Sequence, residues 1–307
     1  MANTTLTADV VAKASLAILE NELGWMGDLY RAHEDEFSNS VNGYKVGDTI
    51  SIRRPADFTV RTGATLSTQD VIEGKTTLTI DQQIGVDFQF TSSDLTLKIS
   101  DLSERVIKPA MSSIVNYMGN DIMTKAYQGA YNWAGTAGQT INSFTDFAKG
   151  PERLDIMAIP SDGRLALLSP SDHWALVGAA TTLNNTGAES TAYRKGKIGT
   201  LGGVDTYMTQ LVPTHTVGTG TGTPLVNGAS QNVTYDTAKN TWTQSLITDG
   251  WTNSVTGILK AGDVFTIASV KMVNPKTKAD TGILQQFVVT ADANSGASTG
   301  PATLTIS

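Results

Sequence analysis

Four stretches of the chain place chemically capable residue types close together. Ser171-Asp172-His173 contains the three side-chain types of a hydrolase triad. Consecutive residues on a helix point in different directions, so these three cannot converge as nucleophile, base and orienting carboxylate. No G-x-S-x-G turn surrounds Ser171 to expose it above a sheet. The plainer reading is a helix N-terminus capped by Ser171 or Asp172. Gly196–Lys197 has the ending of a phosphate loop, but Ile198 stands where Ser or Thr must meet magnesium and Thr191 where the first glycine must turn. A surface loop is expected there. Gly218, Gly220 and Gly222 follow no strand–helix unit and lack the spacing of a dinucleotide fingerprint, so they read as a linker. Asp292-x-Asn294 opens like a calcium loop, yet Ser295–Gly296 follows and Thr303 occupies the position of the bidentate Glu. A turn is expected.

The histidines, His33, His173 and His215, are too scattered for a zinc site by spacing. His33 precedes Glu34, Asp35 and Glu36, an acidic run that suits a solvated helix face. Cysteine is absent, which excludes disulfides, thiolate nucleophiles and cysteine metal sites. No catalytic, cofactor-binding or metal-binding residue is therefore expected, no cofactor is implied, and the chain does not read as an enzyme.

Composition points the same way. Charged residues make up 17% of 307 residues and the net charge is −7, which argues against coating nucleic acid with the whole chain. Local basic spots remain at Arg53–Arg54 and Arg194–Lys195–Lys197. Low charge with abundant Thr, Ser, Gly and Asn suits a surface covered by neighbours, and equally a β-rich extracellular module. Residues 1–6 are polar, so a signal peptide is not expected. No apolar run approaches a membrane span. Folding in a reducing cytoplasm is the expectation.

The elements that would position these residues are most legible between 78 and 129. Leu78, Ile80, Ile84, Val86, Phe88 and Phe90 alternate with polar residues, which predicts one long strand over 75–90. Ile50 and Ile52 mark a partner strand over 49–54, ended by Pro55. The polar stretch 62–74 then forms the tip of an extended β-hairpin that needs another surface to lie on. Asp101 and Glu104 have capping-box spacing. Ile107, Met111, Ile114, Met118, Ile122 and Ala126 continue as a helical stripe to about Gln128, roughly 42 Å of helix. Pro109 predicts a kink, or a helix that begins nearer Ala110.

Toward the N-terminus, Thr7 caps a helix with Ala12, Leu16, Leu19 and Leu23 on one face, and a second helix is expected from Asp28 to Phe37. Trp133–Thr140 reads as a hinge or a domain boundary. Residues 143–212 read as mixed α/β, with a short helix over 151–157, a strand over 164–168, a helix to about Thr181 and a strand over 202–208. Beyond the glycine linker, 264–270, 284–290 and 302–306 are strands of a small barrel or sandwich. Residues 224–307 are expected to fold alone.

The order of these parts resembles the major capsid (coat) proteins of tailed bacteriophages, with the Hong Kong 97-type fold. It is most similar to the branch typified by the short-tailed transducing phage of Salmonella. The residues behind this are FTSSDLTLKISDLSERVIKPAM (90–111), LALLSPSDHWALVGA (165–179), GTLGGVDTYMTQLVPTHTVG (199–218) and GILKAGDVFTIASVKMVNPKTKADTGILQQFVVT (257–290). The resemblance implies an α+β fold with an N-terminal helical arm (1–44), an extended β-hairpin loop (45–84) and a peripheral domain with a long spine helix (85–142). An α/β apical domain (143–217) and an inserted β-barrel-like domain (218–307) follow. It implies a structural subunit of an icosahedral shell around double-stranded DNA, without sequence-specific binding and without a membrane. The implied partners are copies of itself in pentamers and hexamers, a scaffolding protein and a portal. The implied location is the virion capsid, assembled in the bacterial host cytoplasm. Members of that branch continue past the inserted domain, so the C-terminal part of the fold is expected to be lacking from these residues. An encapsulin-like nanocompartment shares the fold, and a secreted β-rich adhesive module is the rival from another class.

Overall fold

The computed structural model describes residues 13, 15–19, 23–30, 33, 45–53, 55–56, 58, 60–71, 73–87, 103–180, 198–231 and 243–307. The chain divides into two compact units, Met1–Ile122 with Thr234–Trp242, and Met123–Val233 with Thr243–Ser307. It mixes helices and sheets, as expected.

In the first unit, residues 15–19 are helical and Gly24–Asp28 forms a 3₁₀ turn that buries Met26. Thr7, Ala12 and most of 28–37 lie outside the described residues. The expected second helix does not start at Asp28, because Leu29 is extended with ψ 145°. Strands β1 (Thr49–Arg53) and β2 (Lys75–Thr79) pair antiparallel, Thr49 opposite Thr79 and Arg53 opposite Lys75. A turn at Lys45–Asp48 leads in, closed by Asp48 N–H on the Lys45 carbonyl at 3.0 Å. The strand expected over 75–90 is thus five residues long within the described chain. Pairing ends just past Thr79, where Gly47 and Asp48 still bond to Ile80. Alternation provides a face, but a strand also needs a partner of equal length. Phe88 and Phe90 lie outside the described residues.

The spine helix α1 runs over Lys108–Gly129, preceded by a π-helical turn at Ser103–Ile107. Pro109 sits in the first α-helical turn, but the π-helical turn before it keeps the chain helical from Ser103, so its missing N–H falls within a continuous helical run. The α-helix itself starts at Lys108, before the expected Ala110, and is about 33 Å long. Asp101 lies outside the described residues. The line of burial is Ile107, Ala110, Val115 and Gly119, while Ala126 of the expected stripe is exposed.

In the second unit, α2 (Phe144–Ile156) starts seven residues before Pro151, which had been placed at a helix start. Ser143 is the actual cap, its Oγ accepting the Asp146 N–H at 3.1 Å. Strand β3 (Leu165–Leu168), helix α3 (Pro170–Ala180), β4 (Thr200–Leu201) and β5 (Val204–Met208) follow. The sheet order is β3-β5-β4, with β3 and β5 parallel, as a helical crossover requires. Phe147, Leu168, Leu176 and Val204 form its core.

The β-rich part contains β6 (Gly222–Val226), β7 (Gln244–Trp251), β8 (Val264–Val273), β9 (Asp280–Val288) and β10 (Ala302–Ile306). Strands β8, β9 and β10 match the sequence expectation; β6 and β7 were missed. Hydrogen bonds order them β6-β7-β10 and β8-β9. The end of β9 continues along β10, through the Val289–Ile306 bridge and paired bonds between Val288 and Ser307. The β-rich part is therefore a three-stranded sheet, β6-β7-β10, and a two-stranded sheet, β8-β9, joined at that bridge. Leu246, Trp251, Ile258, Leu304 and Ile306 form its core.

The glycine run is not a flexible linker. Thr219 and Gly220 donate to the Gly257 and Ile258 carbonyls, and Thr252 donates to Thr221. A Cβ at Gly218 or Gly222 would lie 2.5 Å from the Ile258 or Gly250 carbonyl oxygen. These glycines are present because backbone approaches backbone. Nor is 133–140 a hinge at its start: Trp133 exchanges two bonds with the Gln286 side chain, at 2.9 and 3.0 Å.

Candidate functional site: a buried carboxylate clamp and an exposed apolar loop

The residues singled out for chemistry are each occupied by structural work. Ser169, one residue before α3, is the cap that sequence reading assigned to Ser171 or Asp172. Its Oγ accepts the Asp172 N–H at 3.2 Å and donates to Asp172 Oδ2 at 2.6 Å. Asp172 Oδ1 accepts the Ile141 N–H at 3.0 Å. Ser171 faces solvent and His173 is buried, edge-on to Trp174. The three side chains diverge, as helical geometry demands. Asp292 and Asn294 turn their oxygens to the backbone N–H groups of Ala261 and Gly257, at 2.9 and 2.7 Å, leaving a turn and no calcium cage. Gly196–Lys197, Arg54 and 194–197 lie outside the described residues. Among the described residues no three metal-ligating side chains cluster.

One site was not anticipated. Asp263 is 5% exposed and receives three groups. His215 Nε2 meets Oδ1 at 2.7 Å, while the N–H groups of Gly218 and Lys260 donate to Oδ2 at 2.9 and 2.8 Å. The His215 ring in turn meets Tyr127, in the last turn of α1, in a tilted contact with ring centroids 5.3 Å apart. Tyr127 also lies where a Cβ at Gly262 would go, 2.8 Å away. Asp263 therefore fastens the entering strand of the β-rich part, its own turn and the end of α1 to one point. The pair's contacts are with backbone N–H groups and the Tyr127 ring, an arrangement that positions chain segments. Two further ties bind the β-rich part to the α/β part: the Trp133–Gln286 pair, and Asn274 Nδ2 donating to the Ile156 carbonyl at 2.9 Å. The sequence signal for the clamp is thin, because Asp263 and His215 are 48 residues apart.

The other functional surface is the loop between β1 and β2. Phe58, Val60, Leu66 and Val71 are exposed there, Val60 by 94%. Arg61 folds back onto the carbonyls of Gly63 and Thr65, and Arg53 pairs with Glu73 at 3.3 Å across the loop base. Within this otherwise polar loop these four apolar side chains are exposed, and the described residues from 58 to 73 bury no core of their own.

Residues 35–306, spanning the hairpin, the spine helix, the α/β part and the β-rich part, match the family described as P22 coat protein, gene protein 5. The chain belongs to the P22 coat protein family. Within curated proteins it is similar to the major capsid protein of Acyrthosiphon pisum secondary endosymbiont phage 1, at 24% identity over 248 residues. That alignment covers 78% of this chain and 58% of the relative, so the chain spans a little over half of that protein's length. Among solved structures it is similar to one from Mycobacterium phage Che8, with TM-score 0.47 and 13% identity over 91% of this chain and 84% of that one. It is also similar to a chain of the capsid structure of cyanophage P-SCSP1u, with TM-score 0.40 and 14% identity over 86% and 78%.

Proposed function

We propose that this chain is a structural subunit that polymerises into the icosahedral shell of a tailed phage, in the Hong Kong 97-type architecture. The family match across 35–306 carries this reading. The proposed division is an N-terminal arm over 1–44, an extended loop over 45–84, a peripheral part with the spine helix over 85–142 and an apical part over 143–217. An inserted β-rich part follows over 218–307, to which His215 of the preceding segment is bonded through Asp263. Self-association is the activity, and it works by interface geometry with no reaction catalysed. Copies of the chain in pentamers and hexamers, a scaffolding protein and a portal are the proposed partners, and double-stranded DNA is the enclosed cargo. A net charge of −7 suits a wall that does not grip that cargo. The proposed location is the virion capsid, after assembly in the host cytoplasm.

The bare loop supplies the test. Deleting residues 62–73 removes Leu66 and Val71, which are exposed and support no core. The deleted protein is expected to keep its circular dichroism and melting profile and to lose shell formation with the scaffolding protein, read by negative-stain electron microscopy. Normal shells from the deleted protein would overturn the proposed role of the loop. Failure of the undeleted protein to form any shell would overturn the reading as a whole.

A further inference from the structure

The turn that leads out of β6 carries Asn227 followed by Gly228. An asparagine side-chain carbon and the backbone nitrogen of the next residue can close a five-membered ring. Glycine in the second place leaves that nitrogen unscreened by a side chain. In a folded chain the reaction also requires both groups to be free, because a peptide N–H held in a hydrogen bond must first be released.

Both are free here. Asn227 and Gly228 are exposed. The Asn227 backbone is tied, its N–H donating to the Ile247 carbonyl at 2.9 Å and its carbonyl accepting from Gln231 Nε2 at 2.7 Å. Among the described residues, however, nothing accepts from the Gly228 N–H, and the Asn227 side-chain amide makes no hydrogen bond. A Cβ at Gly228 would meet only Gln231 Nε2, at 4.0 Å, so the approach to its nitrogen is open. Other asparagines differ. Ser254, after Asn253, donates its N–H to the Gly296 carbonyl at 2.9 Å, and Ser295, after Asn294, donates to the Val255 carbonyl at 3.0 Å. Pro275, after Asn274, has no N–H to give. Among the described residues no other asparagine precedes a glycine.

We propose that Asn227 is a site of spontaneous deamidation, converting to isoaspartate and aspartate without an enzyme. A base from solvent takes the Gly228 N–H proton, and the nitrogen attacks Asn227 Cγ. The new C–N bond closes a succinimide as the Cγ–Nδ2 bond breaks, and Nδ2 leaves as ammonia after taking a proton from water. Water then opens the ring. Cleavage at Cγ gives aspartate, and cleavage at the main-chain carbonyl gives isoaspartate. One water is consumed and one ammonia released, with no oxidation or reduction. Either product adds a negative charge to the turn. Isoaspartate also routes the main chain through the former side-chain methylene, which displaces the carbonyl that Gln231 holds and loosens the end of the β6–β7 pairing. The reaction does not depend on shell assembly.

The test follows the full chain at mildly alkaline pH, native and unfolded in guanidinium, with tryptic peptides sequenced by electron-transfer mass spectrometry. Asn227 falls in the peptide 198–239, and Asn42–Gly43, outside the described residues, falls in 32–45, so the two are read separately. Asn227 should convert at nearly the same rate in native and unfolded protein, with isoaspartate among the products. Folding should slow Asn253 and Asn294 by about tenfold or more, the factor given by a barrier higher by about 1.4 kcal/mol. Asn227→Gln, which would need a six-membered ring, should lose the reaction and keep the melting temperature. Folding that slows Asn227 as much as Asn294 would overturn the proposal. So would aspartate as the sole product, which points to direct hydrolysis of the amide. Conversion that persists in Asn227→Gln would assign the signal to Asn232 on the same peptide and overturn it too.

Discussion

Replacing Asp263 by Ala removes the acceptor of three groups at once: His215 Nε2, Gly218 N–H and Lys260 N–H. A buried donor left unsatisfied costs about 1–3 kcal/mol. His215, Gly218 and Lys260 are each half-buried, so water replaces part of what is lost. Adding the losses at the low end of that range gives about 3 kcal/mol, within what breaking a buried polar pair usually costs. In a folding unit of this size about 3 kcal/mol corresponds to a fall in melting temperature of about 6–12 °C. Asp263→Asn should behave differently. Its amide oxygen can replace Oδ2 and keep both backbone donors, while its NH₂ takes the place of Oδ1 beside the His215 ring nitrogen, so the expected loss is about 1 kcal/mol. His215→Ala leaves Asp263 with two donors and should fall between the two. Thermal melts followed by near-ultraviolet circular dichroism and by fluorescence of the buried Trp251 read all three variants. An Ala variant melting within about 1 °C of the parent would refute the clamp, as would an Asn variant as damaging as Ala.

Four further outcomes follow from the same packing. Gly300 has φ 70° and a Cβ there would collide with the Trp251 carbonyl, so Gly300→Ala should lower stability by about 3 kcal/mol or more and lose near-ultraviolet signal. Residues 224–307 should not melt cooperatively when expressed alone, because that cut divides β6 and discards His215 and Gly218, whereas 213–307 should be visibly better ordered by amide dispersion. Ser143→Ala should cost about 1 kcal/mol in α2. The Lys149 ammonium and the Ser143 hydroxyl hold Asp146 below its usual carboxylate value. That contribution is present above about pH 4 and is lost as pH falls through the lower folded value, so Asp146→Asn should flatten the acid limb of the stability profile.

Much of the local structure was legible from residue order alone. The alternation at Ile50 and Ile52 located β1, and Pro109 foretold an α-helix that starts close to it, at Lys108. The strands at 264, 284 and 302 followed from period-two patterning, because each has one face in a core. Asp172 turns to Ile141 and Ser169, in line with the divergence argued from helical spacing for Ser171, Asp172 and His173. What failed were inferences about partners. The alternating run to Phe90 forms a ladder only to Thr79 among the described residues, because pairing depends on a strand elsewhere in the chain. The cap of α3 is Ser169 instead of Ser171, a shift of two residues that follows from Pro170 occupying the first helical position. The glycine run and the start of 133–140 read as flexible because composition reports conformational freedom, not what lies opposite. In the fold, Gly218 and Gly222 are pressed against backbone, and Trp133 is held by a glutamine 153 residues away. The Asp263 clamp belongs to the same class. Its members are ordinary residues in sequence, and only chain folding brings a carboxylate, an imidazole and two amides out of water to one point, where each needs the others.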